Sequence, residues 1–426
     1  MSASRSQSAP WSLWSLAVLP MLPTIGCFSP HAQFDPQEAT LAELRSQVKS
    51  GAISCRTLID RYADVRDTVD PKIHSIVTWN SHLTVDADRL DRIPVWGRGS
   101  FHCVPIVVKD NIDVAGLPTT AGTQALATSI APSNGDVVAR LVEAGAIVLG
   151  KSNMPDFALD GTNTVSSYGG QTVNPYNTGL TVYGSSGGTA AAIAASLGVI
   201  GLGTDTYGSL VQPASATGLV AIRPTQGLVS SRGILPLMTL QDMPGPMARS
   251  VEDAAAALAL IVDKTQSGKG PQDYEKFLNS DGLRFLHVGY DPLALQEIKD
   301  LGWVPSAEVS ALFNQSISQL TLAGVMTRQV SALAPLYPSL QAAADLSFAC
   351  MPVDFKGGIN AYLAAGGSAA SKKSLADIVA SGQFLSSAAS FVTGAQAQTD
   401  TVTTSTACQQ YLAAKEVAAA AITKLM

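Results

Sequence analysis

The sequence has little charge, few aromatic residues and no cluster of cationic residues. Charged residues make up 14% of the 426 residues and aromatic residues 6%, whereas hydrophobic residues make up 46%. This composition is typical of a compact enzyme with a large core, not of a disordered chain. The net charge of -6 comes without any block of lysine or arginine. That pattern argues against a nucleic-acid partner, because phosphate binding needs clustered cations.

Cysteine is also scarce, and its five copies form no CxxC pair. Zinc sites and dense disulfide frameworks need closely spaced cysteines, so the sequence indicates no metal, and nothing in it points to an organic cofactor. If Cys27 is removed with a leader segment, four cysteines remain and allow one or two disulfides.

The N-terminus has an apolar stretch, 11–25, that follows Arg5 and is interrupted by proline. It is too short for a membrane-spanning helix, so we expect no stable membrane span. The pattern predicts a secretory signal peptide over 1–32, with cleavage near Gly26 or after Ala32, and hence a secreted protein. A poorly ordered N-terminal tail is the alternative interpretation.

Residues 33–426 show no repeat and are predicted to form one domain, with a glycosylation sequon at Asn314 if the chain is secreted. Apolar runs rich in β-branched residues alternate with alanine-rich helical stretches, which predicts an α/β layering around a buried sheet. The predicted strands are 73–79, 104–108, 146–149, 199–203, 218–222 and 285–289. The predicted helices are 35–51, 54–69, 137–144, 188–197, 251–262, 307–323 and 408–425, the first starting at Asp35 as its cap.

Two segments fit the sequence patterns of known catalytic motifs, but the residues around them do not fit the structures that those motifs need. Residues 145–152 fit the phosphate-loop pattern, yet 146–149 is itself a predicted strand and no helix opens after Ser152. Residues 184–188 fit the nucleophile elbow of α/β-hydrolase esterases, with Ser186 as nucleophile. That elbow needs a downstream histidine, and His287, the only one, lies in an apolar run where a packed core histidine is expected.

Three further residues, Lys109, Ser185 and Ser209, each lie where a predicted regular element begins or ends. Each also has a structural interpretation. Lys109 could pair with Asp110 at a strand end, Ser185 could cap a helix, and Ser209 could belong to a structural turn.

Ordered blocks of sequence surround these three residues. They are 102–111, 150–158, 184–188, 203–209, 213–214 and 218–227, and Ser185 precedes Ser209 by 24 residues. In order and spacing these blocks resemble the amidase signature family, including its secreted fungal members. The resemblance runs from about residue 37 to 262 and continues weakly beyond.

The resemblance implies a fold, a reaction and a set of roles. The fold is an α/β amidase-signature fold with a central mixed β-sheet covered by helices on both faces. The reaction is hydrolysis of the carbon–nitrogen bond of a linear amide, releasing a carboxylic acid and ammonia or an amine through an acyl-enzyme on Ser209. Ser185, held by a non-proline cis peptide after Gly184, relays a proton to Lys109, which must be neutral to act as base.

The remaining roles concern the turn before the nucleophile. Ser186 is expected to support the network by bonding Lys109 or the turn, and Asp205 is a second supporting residue. The backbone N–H groups implied to stabilise the oxyanion belong to Thr206, Tyr207, Gly208 and Ser209.

The sequence departs from the family's pattern at several positions. Tyr183 and Tyr207 stand where relatives have glycine, which raises the question of backbone conformation and suggests that the Tyr207 ring shapes the acyl pocket. Val211 replaces a common arginine, so Asp205 is expected to lack an ion-pair partner. Cys103 replaces a glycine beside the lysine segment.

The last departure is the end of the chain, at Met426 within an alanine-rich helical run, whereas relatives continue for roughly another hundred residues. We therefore expect a C-terminally truncated fold. A catalytically impaired or non-catalytic remnant and an esterase using Ser186 stay open as alternatives. The expected partner is a small-molecule amide. A role within an amidotransferase is less favoured because of the signal peptide, and the oligomeric state is open.

Overall fold

The computed structural model describes residues 34–263, 265, 273–291, 306–330, 336–366 and 370–425. The predicted signal peptide, 1–32, lies outside the described residues. Asp35–Met426 forms one compact unit, and Met1–Phe34 is a separate unit of which only Phe34 is described.

The strands and helices of the described part alternate along the first two thirds of the chain. The strands are β1 (Ile76–Trp79), β2 (Pro105–Lys109), β3 (Ile147–Ser152), β4 (Val165–Ser166), β5 (Gly170–Gln171), β6 (Ile200–Asp205), β7 (Val220–Ala221), β8 (Met243–Ala248), β9 (His287–Tyr290) and β10 (Met326–Gln329). The helices are α1 (Leu41–Lys49), α2 (Cys55–Ile73), α3 (Leu83–Asp91), α4 (Asp136–Glu143), α5 (Gly187–Ala194), α6 (Val211–Ala216), α7 (Val251–Ile261), α8 (Ala307–Leu322), α9 (Tyr337–Ala365), α10 (Leu375–Ser381), α11 (Ser386–Gln396) and α12 (Thr406–Leu425).

The central sheet is mixed and has the strand order β1-β3-β2-β6-β8-β7. Strand β2 is parallel to both of its neighbours, β3 and β6, whereas β1, β8 and β7 run antiparallel to the strands they pair with. Every residue of β2, β3, β6 and β8 is buried, as expected for strands with layers on both faces. The α/β class and the mixed sheet are therefore confirmed.

Helix α5 lies unusually close to the sheet because its first residues are small. Gly187–Ile193 are all buried, and Ala191, Ala192 and Ile193 pack with Val107 of β2. A Cβ on Gly188 would lie 2.3 Å from the carbonyl oxygen of Asn153. This close approach places the start of α5, and the serines before it, beside the end of β3.

Two predicted elements differ from the structure. The first helix starts at Leu41, not near Asp35, because the hydroxyl of Thr40 accepts from the N–H of Glu43 and the Glu43 carboxylate accepts from the N–H of Thr40. Glu38 has a φ of 52°, which is incompatible with a continuous helix. The predicted strand 285–289 does form as β9, but it pairs with β10 in a separate two-stranded sheet.

The C-terminal helices pack against one another and against the turns above the sheet. Helices α9 and α12 are joined by a disulfide between Cys350 and Cys408, with a Cα–Cα distance of 4.6 Å. A second disulfide joins Cys55 to Cys103, so both of the disulfides that four cysteines allow are formed. Among the described helices, none is long and apolar enough to span a membrane.

Candidate active site

Lys109 is the last residue of β2, and its side chain is fully buried. Its Nζ lies 2.7 Å from Ser185 Oγ, 2.9 Å from Thr204 Oγ1 and 3.4 Å from Thr204 O, all within hydrogen-bond distance. Thr204 belongs to β6, the parallel neighbour of β2. The carboxyl ends of two parallel strands therefore bring the lysine and its partners together.

Burial lowers the pKa of Lys109 to about 7, although the nearby carboxylates of Asp242 and Asp205 act in the opposite direction. No carboxylate is bonded to its Nζ among the described residues, and the adjacent Asp110 pairs instead with Lys151, at 3.1 Å. The interpretation of Lys109 as a strand-end partner of Asp110 is therefore wrong. A lysine with this pKa is partly neutral near pH 7 and can accept a proton.

The peptide bond between Gly184 and Ser185 is cis, as the resemblance implied. The N–H of Ser186 donates to Ser209 O at 3.2 Å, which ties the start of α5 to the segment that carries Ser209. Ser185 is fully buried, whereas Ser209 is 8% exposed. The structure thus joins Lys109 to Ser185 by a side-chain hydrogen bond and brings the main chain of Ser209 next to Ser186, near the ends of β2 and β6.

Ser186 does not bond Lys109. Its Oγ donates to Thr204 O at 3.1 Å and accepts from the N–H of Thr204 at 3.3 Å. Because Thr204 in turn accepts from Lys109, Ser186 holds the strand residue that positions the lysine.

Asp205, the last residue of β6, organises the turn that leads to Ser209. Its carboxylate accepts from the N–H groups of Gly208 and Leu210, each at 2.9 Å, and from Arg223 Nε at 3.0 Å. The expectation that Asp205 lacks an ion-pair partner is therefore wrong, because Arg223 pairs with it although Val211 cannot. Gly208 has a φ of 105°, a conformation that requires glycine.

The same contact changes the expected oxyanion hole. Because the N–H of Gly208 already donates to Asp205, it is not a free donor, contrary to the role the resemblance implied. The candidates that remain are the N–H groups of Thr206, Tyr207 and Ser209.

Thr206 is held by two adjacent residues that the sequence did not single out. Its Oγ1 donates to Asp242 Oδ1 at 2.6 Å, and its carbonyl oxygen accepts from Gln241 Nε2 at 2.6 Å. The other oxygen of Asp242 accepts from the N–H groups of Leu237 and Met238. Burial raises the pKa of Asp242 to about 6. No local pattern marks Asp242, since it meets Thr206 across 36 residues of chain.

The two tyrosines that replace family glycines behave differently. Tyr183 has a φ of 55°, so it adopts the left-handed conformation that glycine would favour. Tyr207 does not. Its ring stacks on Phe348 with centroids 4.7 Å apart, and its hydroxyl lies 2.9 Å from Ser347 Oγ. The ring is thus packed on α9.

The structure disfavours the two competing motifs. Residues Ile147–Ser152 form β3, and the side chain of Lys151 is buried in its ion pair, so this segment is not a phosphate loop. His287 is exposed on β9, not packed in the core as the sequence suggested. The side-chain hydrogen bonds of Ser186 go to Thr204, and its hydroxyl has no histidine among its described partners.

Comparison with known proteins identifies the family of this chain. The sequence model of the Amidase family matches residues 55–426. The chain belongs to the amidase family. Among curated relatives, it is 39% identical over 236 residues to a glutamyl-tRNA(Gln) amidotransferase subunit of Synechococcus sp. (strain CC9311), covering 55% of this chain and 47% of the relative. It is 35% identical over 301 residues to the protein of the same name from Cyanothece sp., covering 69% and 61%.

Solved structures of amidase-family proteins have the same fold. The peptide amidase from Stenotrophomonas maltophilia is 30% identical with a TM-score of 0.77, covering 88% of this chain and 78% of that one. An amidase family protein from Bacillus anthracis is 28% identical with a TM-score of 0.79, covering 92% and 78%. The predicted amidase-signature fold is confirmed. The alignments with the two curated relatives span about half to three fifths of those relatives' length.

Proposed function

We propose that the protein hydrolyses linear amides through an acyl-enzyme on Ser209. The observation that carries this proposal is the contact of Lys109 Nζ with Ser185 Oγ at 2.7 Å, made by a buried lysine whose pKa is lowered to about 7. Serine is a weak nucleophile at neutral pH and needs a base. A neutral lysine bonded to a second serine supplies that base without histidine.

In the first half of the reaction, Lys109 takes the proton of Ser185, and Ser185 takes the proton of Ser209 as Ser209 Oγ attacks the amide carbon. The carbonyl π electrons move to the oxygen, which the backbone N–H groups of the turn stabilise. Ser185 then donates a proton to the nitrogen, the C–N bond breaks, and ammonia or an amine leaves.

In the second half, water attacks the acyl carbon and its proton passes to the Ser185–Lys109 pair. The bond between the carbon and Ser209 Oγ breaks, Ser209 regains its proton, and a carboxylic acid is released. The steps use the hydrogen-bonded pair of Lys109 and Ser185 and the nearby Ser209, whose carbonyl accepts from the N–H of Ser186, and no redox equivalent is needed.

Two substrate types deserve direct comparison. Peptide amidase, at 30–31% identity, suggests a peptide amide. The amidotransferase relatives, at 35–39% identity, are named for transfer of an amide and for glutamyl-tRNA(Gln), so we include the amide of glutamine as the second type. We favour the peptide or another small linear amide, because the two disulfides and the N-terminal apolar segment support a secreted protein that acts outside the cell. Asn314 is exposed on α8, which is compatible with glycosylation in that setting.

The test is hydrolysis by the full chain of an aryl amide, a peptide amide and glutamine, with ammonia or amine release as the readout. Wild-type protein should turn over and should label with a fluorophosphonate at Ser209, whereas Ser209→Ala should do neither. Ser186→Ala should still label, which separates this proposal from the esterase with Ser186 as nucleophile. A folded wild-type protein that neither labels nor turns over any of the three would show a non-catalytic amidase fold and refute the proposal.

A further inference from the structure

The peptide unit between Thr206 and Tyr207 is fixed by a side chain from outside the turn. Gln241 Nε2 donates to Thr206 O at 2.6 Å. In a planar trans peptide the C=O and the following N–H point in opposite directions, and the cis bond recorded among the described residues is Gly184–Ser185. Holding the carbonyl of Thr206 on one side therefore directs the N–H of Tyr207 to the other side.

The amide of Gln241 is itself oriented by the C-terminal helix. Tyr411, on α12, donates its hydroxyl to Gln241 Oε1 at 2.6 Å. Because the carbonyl oxygen of Thr206 can only accept, the NH₂ group of Gln241 must face it, and Oε1 then accepts from the Tyr411 hydroxyl, which holds the amide in this orientation. Arg223, which pairs with Asp205, also donates to Gln241 O at 3.3 Å. Gln241 is thus connected to the turn twice: its side chain bonds Thr206, and its main-chain carbonyl bonds Arg223.

The neighbouring disulfide joins the two helices that support the turn. Cys408 precedes Tyr411 by one helical turn on α12, and Cys350 follows Ser347, the partner of the Tyr207 hydroxyl, by three residues on α9. Cys350, Cys408, Tyr411 and Met238 pack in one buried cluster, with Tyr207 against it. Tyr411 and Ser347 therefore make their contacts from two helices that the disulfide joins.

We propose that Gln241, oriented by Tyr411, is a positioning residue that directs the Tyr207 N–H at the oxyanion formed during attack by Ser209. This inference rests on the proposed function. It adds a role for α12, a helix with no member of the Ser–Ser–Lys cluster, and it explains how tyrosine at 207 can serve as a backbone donor while its ring packs on α9.

The test compares Gln241→Met and Tyr411→Phe with wild type. Removing an oxyanion donor outright costs about 10²–10³ in kcat, so misdirecting one should lower kcat by about 10- to 100-fold while KM changes less than about threefold. Binding of a tetrahedral-adduct inhibitor, a substrate-like trifluoromethyl ketone, should weaken by the same factor as kcat/KM. Binding of the carboxylate product, which forms no tetrahedral adduct, should stay as in wild type.

Two matched controls make the same chemical changes elsewhere. Gln409→Met removes an amide on α12 that donates to Val402 O, and Tyr362→Phe removes a partly buried hydroxyl on α9 that donates to Asp113. Both should keep wild-type kcat and inhibitor affinity. Thermal unfolding of all four variants shows whether any loss reflects unfolding.

The outcomes are separable. If wild type is inactive, the proposed function fails. If wild type is active and the Gln241 and Tyr411 variants match it in kcat and in trifluoromethyl ketone affinity, the positioning role is refuted while the proposed function stands. An equal loss of ketone and product binding would also refute it, because a collapsed pocket, not a misdirected donor, would then be the cause.

Discussion

Lys109 Nζ lies 2.7 Å from Ser185 Oγ, and its two other hydrogen-bond partners are both oxygen atoms of Thr204. A neutral lysine has two N–H groups and one lone pair. With the two N–H groups directed at Thr204, the lone pair faces the Ser185 hydroxyl, which then donates to it. The site is therefore built to hold the neutral lysine in the orientation of a base.

The first prediction concerns pH. Because only neutral Lys109 accepts a proton and its pKa is about 7, kcat/KM should rise through pH 7 and level off above it. Lys109→Arg keeps a charge that cannot be lost, so activity should fall by about 10³-fold, within the range for loss of a general base. Steady-state rates between pH 5 and 9 check both. An active arginine variant, or a flat profile in wild type, would exclude the lysine as base.

The second prediction concerns Thr204. Thr204→Val removes the hydroxyl that accepts from Lys109 at 2.9 Å and from Asn111 at 3.2 Å, so kcat should fall by about tenfold, the equivalent of one hydrogen bond. That hydroxyl also stabilises the charged lysine, so its loss should move the midpoint of the pH profile to lower pH. Thr204→Ser, which keeps the hydroxyl, is the control. A valine variant with unchanged rate and midpoint would show that Thr204 does not position the lysine.

Parts of the fold could be predicted from sequence because their signals are local. Strand β2 and strand β6 are short apolar runs, and the blocks around Ser185 and Ser209 have a fixed spacing. Strand β8 could not, because Pro244 and Pro246 argue against an inner strand. The structure tolerates them since the carbonyl of Pro246 accepts from the N–H of Ile222. In an antiparallel strand the C=O and the N–H of one residue point to the same neighbouring strand. The N–H groups that the two prolines lack would therefore point towards β7, which is only two residues long and needs few partners.

The supporting residues of the site are harder to predict for a related reason. Asp242 meets Thr206 across 36 residues, and Tyr411 meets Gln241 across 170. Neither pair has a periodic or motif signal, because each is created by the packing of elements that are far apart in the chain. Asp205 shows the same limit, since its cation, Arg223, lies 18 residues away and not at the position that relatives use.

The third prediction concerns the buried ion pair of Lys151 and Asp110, both fully buried. Lys151→Met leaves the Asp110 carboxylate without its cation, which should lower the free energy of unfolding by about 3–5 kcal/mol. Adding Asp110→Asn removes the unpaired charge, so the double variant should recover part of that loss. Urea denaturation measures both. A double variant less stable than Lys151→Met would contradict this account of the pair.

The last prediction concerns the glycines of the helices. A Cβ on Gly188 would lie 2.3 Å from Asn153 O and 2.8 Å from Ser75 O. The two residues are joined by the hydrogen bond from the Asn153 N–H to Ser75 O. Gly188→Ala must push α5 away from the sheet, so it should lower the free energy of unfolding by about 1–3 kcal/mol and reduce activity by displacing Ser185.

Gly394, on α11, is the matched control because a Cβ there meets nothing within 4 Å. Gly394→Ala should raise the free energy of unfolding by about 0.5–1 kcal/mol, since alanine has the higher helix propensity. Urea denaturation measures the two effects on one scale, provided that the slope of the unfolding free energy against urea concentration is the same for both variants. If Gly188→Ala were as stable as wild type, α5 would not need its close approach to the sheet, and the glycines after Ser186 would need another explanation.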